Sequence, residues 1–487
     1  MKILKRAFRL IVLLIFSACT KEGLLPDNSI SNFSEENSVL KNLNCGKTFT
    51  VAPNGNDDTE NLRQAFELAK AEGPESTVRL LKGLYTIGIL EVRDFNGYFL
   101  GAGQGKTIIT NKPDLPCEEE WEKNLMPSLL SFVGGKIIMS DMTIRINDGN
   151  PCAYGPINEE AYGELCCALI LADFTVEYVP VKRHIKGIID HVDFIAGYDG
   201  GHGVFGTEGN VCMALYCGAN IGFPGSNNAL SKGEFSIRNC YFEQNVAGPD
   251  LFGLDDKSTA IIENNTMNAG LMQIYIAGLM GSTVTIKNNK FHNAQMTDLW
   301  IDENDYGFYP VAKPVKRSKY NIWGNEFQSP PGVVSMSTTD YRCTVYPDEG
   351  FPQLFNITNN LFNTGEGGMA IQSLNSKDAA IWNNKFTGTG ILGIMIDGDV
   401  ATGTYSENAR LFSNNFLRAN YTDANVYLGP FSKNCKVVGV KTDQVIDEGV
   451  NNSIIGTKVH KSDLNTRRDY QRASKTKSGS KLRRINW

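Results

Sequence analysis

Eight carboxylates gather in the second half of the chain: Asp250, Asp255, Asp256, Asp302, Glu303, Asp305, Asp397 and Asp399. Two carboxyl groups about 6.5–9.5 Å apart can serve as the acid and base of an inverting glycosidic cleavage. Asp250, Asp255 and Asp256 are the candidates, with His202 of Gly201-His-Gly203 and Lys257 beside them. A second chemistry is proton abstraction next to a uronate carboxylate, which needs a cation to neutralise the acid and a basic side chain to take the proton. Asp302, Glu303 and Asp305 offer hard oxygen ligands suited to calcium, and Lys257 or Arg342 is the candidate base. Tyr275, Trp300 and Tyr427 are aromatic rings on which the apolar face of a sugar can stack.

These residues share a face only if something repetitive positions them, and a repeat is present. Ile237-Arg-Asn-Cys-Tyr-Phe242 returns as Ile262-Glu-Asn-Asn-Thr-Met267, Ile286-Lys-Asn-Asn-Lys-Phe291, Ile322-Trp-Gly-Asn-Glu-Phe327, Ile357-Thr-Asn-Asn-Leu-Phe362, Ile381-Trp-Asn-Asn-Lys-Phe386 and Leu411-Phe-Ser-Asn-Asn-Phe416. The steps are 25, 24, 36, 35, 24 and 30 residues, those of a solenoid coil that sometimes carries an inserted loop. Apolar, polar bend, apolar describes two short strands joined at a corner. Asparagine suits the corner, because it tolerates left-handed backbone angles and its amide can bond to the copy stacked above. Met272-Gln-Ile-Tyr-Ile276, Leu299-Trp-Ile-Asp302 and Gly393-Ile-Met-Ile-Asp397 read as a further strand per coil. Counting 11 or 12 residues from each corner puts His202, Asp250, Tyr275, Trp300, Ala370 and Met395 near one column, with Tyr427 close by. Alternation turns Tyr275 and Trp300 outward. Adjacent coils lie about 4.8 Å apart, so Asp250 or Asp255 stands about two coils from Asp302, and Asp397 three or more.

Over roughly residues 48 to 456 the pattern resembles the right-handed, pectate-lyase-like parallel β-helix superfamily. The resemblance implies an all-β fold, a right-handed single-stranded parallel β-helix over residues 47–456, closed at its start by a helix. That superfamily includes lyases, hydrolases, epimerases and non-catalytic surface proteins. Gly253-Leu-Asp-Asp256 and Gly201-His-Gly203 resemble pieces of polygalacturonase-type motifs, which implies aspartates as acid and base with the histidine assisting. Here the histidine precedes the aspartates, the reverse of that family's order.

Residues 1–19 combine Lys2, Lys5, Arg6 and Arg9, an apolar run from Leu10 to Phe16, and Ser17-Ala18-Cys19. This resembles a bacterial lipoprotein signal with Cys19 as the lipidated residue. It implies export and a lipid anchor, with the outer membrane or cell surface as location. Residues 20–46 are a polar tether. Leu62, Ala65, Phe66 and Ala69 recur at helical spacing, and Asp57 with Glu60 offers a capping box, so residues 59–72 are expected to form a helix that covers the open end of the solenoid. Gly101-Ala-Gly-Gln-Gly-Lys-Thr107 ends like a phosphate loop but lacks its glycine spacing and its following helix, and reads as a glycine corner.

The intervals from Met139 to Ile189 and from Ile189 to Ile237 are 50 and 48 residues, near two coils each. Residues 112–127, 303–321 and 328–353 are expected to project as loops. Residues 457–487 carry ten Lys or Arg against Asp463 and Asp469 and read as a solvated tail. Eleven cysteines leave ten once Cys19 carries lipid, and Cys212–Cys217 and Cys152–Cys166 are conceivable pairs in an oxidising compartment. A net charge of −6 gives no case for nucleic-acid binding. The expectation is an exported monomer acting on a polysaccharide as lyase or hydrolase, with calcium as the one conceivable cofactor. The alternative is a non-catalytic cell-surface β-helix that binds or adheres to glycan.

Overall fold

The structure is a computed structural model. It describes residues 22–24, 46–112, 128–146, 167–172, 184–196, 213–218, 232–245, 247–255, 257–279, 281–302, 317–339, 353–398 and 403–456.

The repeat unit folds as its chemistry dictates. Its isoleucines, Ile237, Ile262, Ile286, Ile322, Ile357 and Ile381, are fully buried. Two residues on, the chain turns through the left-handed region at Asn239, Asn264, Asn288, Asn359 and Asn383, each with φ of 55–56°. Gly324 and Ser413 take that corner in the other two copies. The second asparagine of each unit is buried and joins a ladder. Asn265, Asn289, Asn325, Asn360, Asn384 and Asn414 each accept, through Oδ1, the backbone N–H of the unit before, at 2.9–3.1 Å. Their Nδ2 groups donate to the carbonyls of Ile237, Ile262, Ile286, Ile322, Ile357 and Ile381. The corner thus satisfies backbone groups that the bend removes from the strand ladder.

Beyond the corner the phenylalanines stack in the core: Phe291 on Phe327 at 4.6 Å, Phe327 on Phe362 at 4.7 Å and Phe386 on Phe416 at 4.4 Å. Each such side chain contributes on the order of 1.5–3 kcal/mol by its removal from water.

Every strand pairs in parallel with its counterpart one coil on, giving a parallel β-helix. Among the described residues the corners and their flanking strands make a sheet of 24 strands, and the other wall is a ladder of twelve strands from Leu90–Arg93 to Val445–Asp447. It includes Met213–Gly218, Asp250–Phe252, Met272–Ala277, Thr297–Asp302, Val334–Thr339, Met369–Leu374, Leu392–Asp397 and Ala424–Leu428.

The expected helix is Thr59–Glu72, α1. It buries Leu62, Ala65, Phe66 and Ala69, and Phe66 meets Phe95, Phe99 and Phe132 at 5.0–5.5 Å, closing the first coils. The capping box does not form. Asp57 Oδ1 instead accepts from the Thr59 amide, while Glu60 bonds Arg63 and Gln64 along the helix. Glu22–Leu24, inside the expected tether, runs as a strand beside Thr48–Thr50. The Gly101–Thr107 segment leads into the strand Thr107–Asn111 rather than a helix.

Three expectations are corrected. Met139, Ile189 and Ile237 sit on adjacent rungs, so the 50- and 48-residue intervals are single coils with long insertions. Strands Lys319–Trp323, Glu326–Ser329 and Val334–Thr339 occupy parts of the expected loops 303–321 and 328–353. Cys217 is a free thiol buried in the core beside Leu215, because alternation turns it inward, so it forms no pair with Cys212. Cys152 and Cys166 lie outside the described residues.

Candidate functional site

The outer face of the twelve-strand sheet holds the column expected from the repeat. Tyr216, Asp250, Tyr275, Trp300, Ser337, Gln372, Met395 and Tyr427 occupy successive rungs. Ala370 is not among them. It is fully buried two residues away, and Gln372 stands in its place. The count from the corner slips because the connecting turns differ in length.

Tyr275 and Trp300 turn outward as alternation requires, while Ile274, Ile276, Leu299 and Ile301 are fully buried. They belong to a run of aromatic contacts. Tyr216 stacks on Phe252 at 5.1 Å, Phe252 meets Tyr275 edge-on at 5.3 Å, and Tyr275 meets Trp300 at 5.4 Å. Met213, Leu271, Met272 and Met296 pack around the Tyr275 and Trp300 end.

Asp250 lies within this ridge. It is fully buried, and neither carboxylate oxygen has a hydrogen-bond partner among the described residues. Desolvation holds its carboxyl well above the usual range, so it stays protonated where free aspartate ionises. Asp302, also buried, receives the Tyr275 hydroxyl on Oδ2 at 3.5 Å. Asp250 and Asp302 are two rungs and two residues apart, about 12 Å between α-carbons, with Tyr275 in the gap. That is wider than two coils alone.

Sequence reasoning passed over Asp298. It is fully buried, one oxygen accepts from Ser329 Oγ at 2.5 Å, and Ser329 in turn bonds Ser335. Burial pushes its carboxyl up to about 7, against the lowering effect of the serine. The available signal was parity, since Asp298 shares the outward phase of Trp300 and Asp302.

Asp255 is drawn into local structure. Its Oδ1 accepts from the Lys257 amide and from Ser258 Oγ, both at 2.9 Å, which fixes the turn between Asp250–Phe252 and Thr259–Glu263. Lys257 is exposed on the same turn. Asp256, His202, Glu303, Asp305, Arg342, Asp399 and Cys19 lie outside the described residues. Of the calcium trio only Asp302 is therefore placed. Among the described residues no three His, Cys, Asp or Glu side chains gather as metal ligands. His191 takes the left-handed corner of its coil at φ 56°, a structural position.

A second acidic group lies toward the end of the helix. Asp397 Oδ1 accepts the amides of Gly398 and Phe431 at 2.9 Å, and the Tyr427 hydroxyl donates to Glu448 at 2.9 Å. Burial raises the Asp397 carboxyl, and Glu448 raises it further, although both amides oppose this. Burial, Glu448 and Asp397 likewise raise Tyr427. Gly429 is required here, because a Cβ would lie 2.2 Å from the Asp397 carboxyl carbon.

Fold and face together define a parallel β-helix with an aromatic, acidic outer wall. No protein-family model matches the chain, and no curated protein matches it. Solved structures similar to it include an A-module of the Azotobacter vinelandii mannuronan C-5 epimerase, 13% identical, covering 84% of this chain and 98% of that one with a TM-score of 0.46. A Yersinia enterocolitica family 28 exopolygalacturonase is 11% identical over 84% and 78%, with a TM-score of 0.43. The Streptococcus pneumoniae surface protein and adhesin PfbA is 12% identical over 84% and 96%, with a TM-score of 0.38. The fold itself rests on the strand ladders.

Proposed function

We propose that this is an exported, carbohydrate-active β-helix protein that takes a polysaccharide along the outer face of its twelve-strand sheet and cleaves it. The observation that carries this reading is Asp250, a buried carboxyl without a hydrogen-bond partner among the described residues, set in a ridge of aromatic rings. A buried polar group without a partner costs stability and is retained where it has work to do. In this reading Tyr275 and Trp300 stack the sugar, and Asp250 donates its proton to the leaving oxygen. Asp302, linked to Tyr275, accepts a proton from the attacking water. Cys19 anchors the protein to the membrane through lipid.

The second reading is a cell-surface glycan-binding protein without turnover. It is favoured by the closure of Asp250 from solvent and by the engagement of Asp255 in its turn. The test is to incubate the protein lacking residues 1–19 with neutral and uronate polysaccharides, with calcium or chelator, and to assay reducing ends and unsaturated uronates. Reducing ends lost in Asp250→Asn support hydrolysis at this site, and unsaturated products lost on chelation move the chemistry to a lyase. Retention on glycan with no product in either assay leaves the binding protein.

A further inference from the structure

The 24-strand sheet carries an outer column of a different character. The residue after the first isoleucine or leucine of each unit points away from the core, and these residues stand in register: Lys287, Trp323, Thr358, Trp382, Phe412, Val438 and Ile455. Trp323 and Phe412 are each 37% exposed and Ile455 is 52% exposed. A line of large apolar side chains open to water along a sheet is a binding feature more often than an accident.

Its members are held in place. Trp382 and Phe412 stack with ring centroids 5.6 Å apart and planes within 5°. The Trp382 indole N–H donates to Asn356 Oδ1 at 3.0 Å, and Lys287 Nζ lies 5.7 Å from the centre of the Trp323 ring. Pre-set rings lose little freedom when a ligand arrives.

The charge beside the column has one sign where the aromatic residues end. Arg410 and Lys436 occupy consecutive rungs two residues before Phe412 and Val438, and Lys385 lies three residues beyond Trp382, past the corner. All three are exposed, and none forms an ion pair among the described residues. The nearby acids are engaged elsewhere, Glu407 with Lys433 and Asp378 with Arg317. Cations without partners beside an apolar ridge complement a ligand that is both anionic and partly apolar.

We propose that this column is a second, non-catalytic binding strip for an extended anionic polysaccharide. The C–H groups of the sugars pack on the outward edges of Trp323, Trp382 and Phe412, and their carboxylate or sulfate groups lie on Lys385, Arg410 and Lys436. The rung spacing, about 4.8 Å, is close to the rise of one sugar in an extended polysaccharide chain, so successive sugars can meet successive rungs. The strip lies on the 24-strand sheet and is separate from the acidic outer wall of the twelve-strand sheet.

The test is affinity electrophoresis of the intact protein in gels containing polygalacturonate, with a neutral β-glucan as control. Wild type should be retarded by the anionic polymer, less so as salt rises. Arg410→Glu with Lys436→Glu, and separately Trp382→Ala with Phe412→Ala, should each weaken binding at least tenfold. Arg63→Glu with Lys82→Glu, a matched reversal of exposed positive charge near α1, should leave it unchanged, which ties the effect to the strip rather than to net charge. Far-ultraviolet circular dichroism confirms that each variant is folded. Equal retardation of wild type and strip variants overturns the proposal. So does absence of retardation, or loss of the strip variants' binding only to vesicles containing phosphatidylglycerol, which would make the partner a membrane.

Discussion

Asp250 and Tyr275 stand directly opposite each other on adjacent rungs, yet the Tyr275 hydroxyl bonds Asp302, and both oxygens of Asp250 are without a hydrogen-bond partner among the described residues. Folding therefore bears the cost of this carboxyl without a local return. Asp250→Asn is expected to keep or raise the melting temperature at pH 8 while lowering turnover by about 10²–10⁴-fold, the range for loss of a general acid. Loss of stability together with full activity would remove Asp250 from the site.

Tyr275→Phe tests the link to Asp302 without disturbing the ridge. The ring contacts remain and the 3.5 Å hydrogen bond to Asp302 is lost. Glycan affinity should change by less than a factor of three while turnover falls. Trp300→Ala should weaken affinity by about 1–2 kcal/mol, since it removes a half-exposed stacking surface.

Asp298 fixes a pH dependence. Its carboxyl is raised to about 7 in the fold, from an ordinary value near 3.8. The folded state therefore holds a proton that the unfolded chain releases. Its contribution to stability is fully present below about pH 4 and is lost as pH rises to 7, by roughly 4 kcal/mol at about 1.4 kcal/mol per pKa unit. Asp250 acts in the same direction. Asp298→Asn should make the fall in melting temperature between pH 4 and 7 shallower, leaving the part that Asp250 contributes, and an unchanged slope would show that Asp298 has no share in it.

Gly429→Ala places a methyl group against the Asp397 carboxyl. The carboxyl must then leave the amides of Gly398 and Phe431, at an expected cost of about 1–3 kcal/mol, read as a lowered melting temperature.

In the amide ladder, Asn325→Ala strands the Asn289 amide and the Ile286 carbonyl. Chemical denaturation should show a loss of about 2–4 kcal/mol.

The architecture was legible because each coil restates it. The asparagine corner, the inward phenylalanines and the α1 boundaries each follow from residue type and period. The coil count before Ile237 was not, because insertions lengthen the spacing without altering the rung. The site was legible in part. Alternation gives the outward turn of Tyr275 and Trp300. The isolation of Asp250, the Asp298–Ser329 bond and the engagement of Asp255 arise from contacts between coils that no local pattern encodes.

The asparagine row ends at both sides in cysteine. Cys240 presents its amide to Asn265, and Cys435 presents its amide to Asn452, where a carboxamide would otherwise continue the line. Between these limits every member plays one part: its oxygen accepts from the unit before, and its amino group donates to the isoleucine carbonyl of that unit and, as far as Asn384, to the oxygen of the next asparagine. The length of the molecule is therefore a tally of interchangeable floors. Removing or duplicating one between Asn289 and Asn384 would change the height of the building and leave its staircase intact.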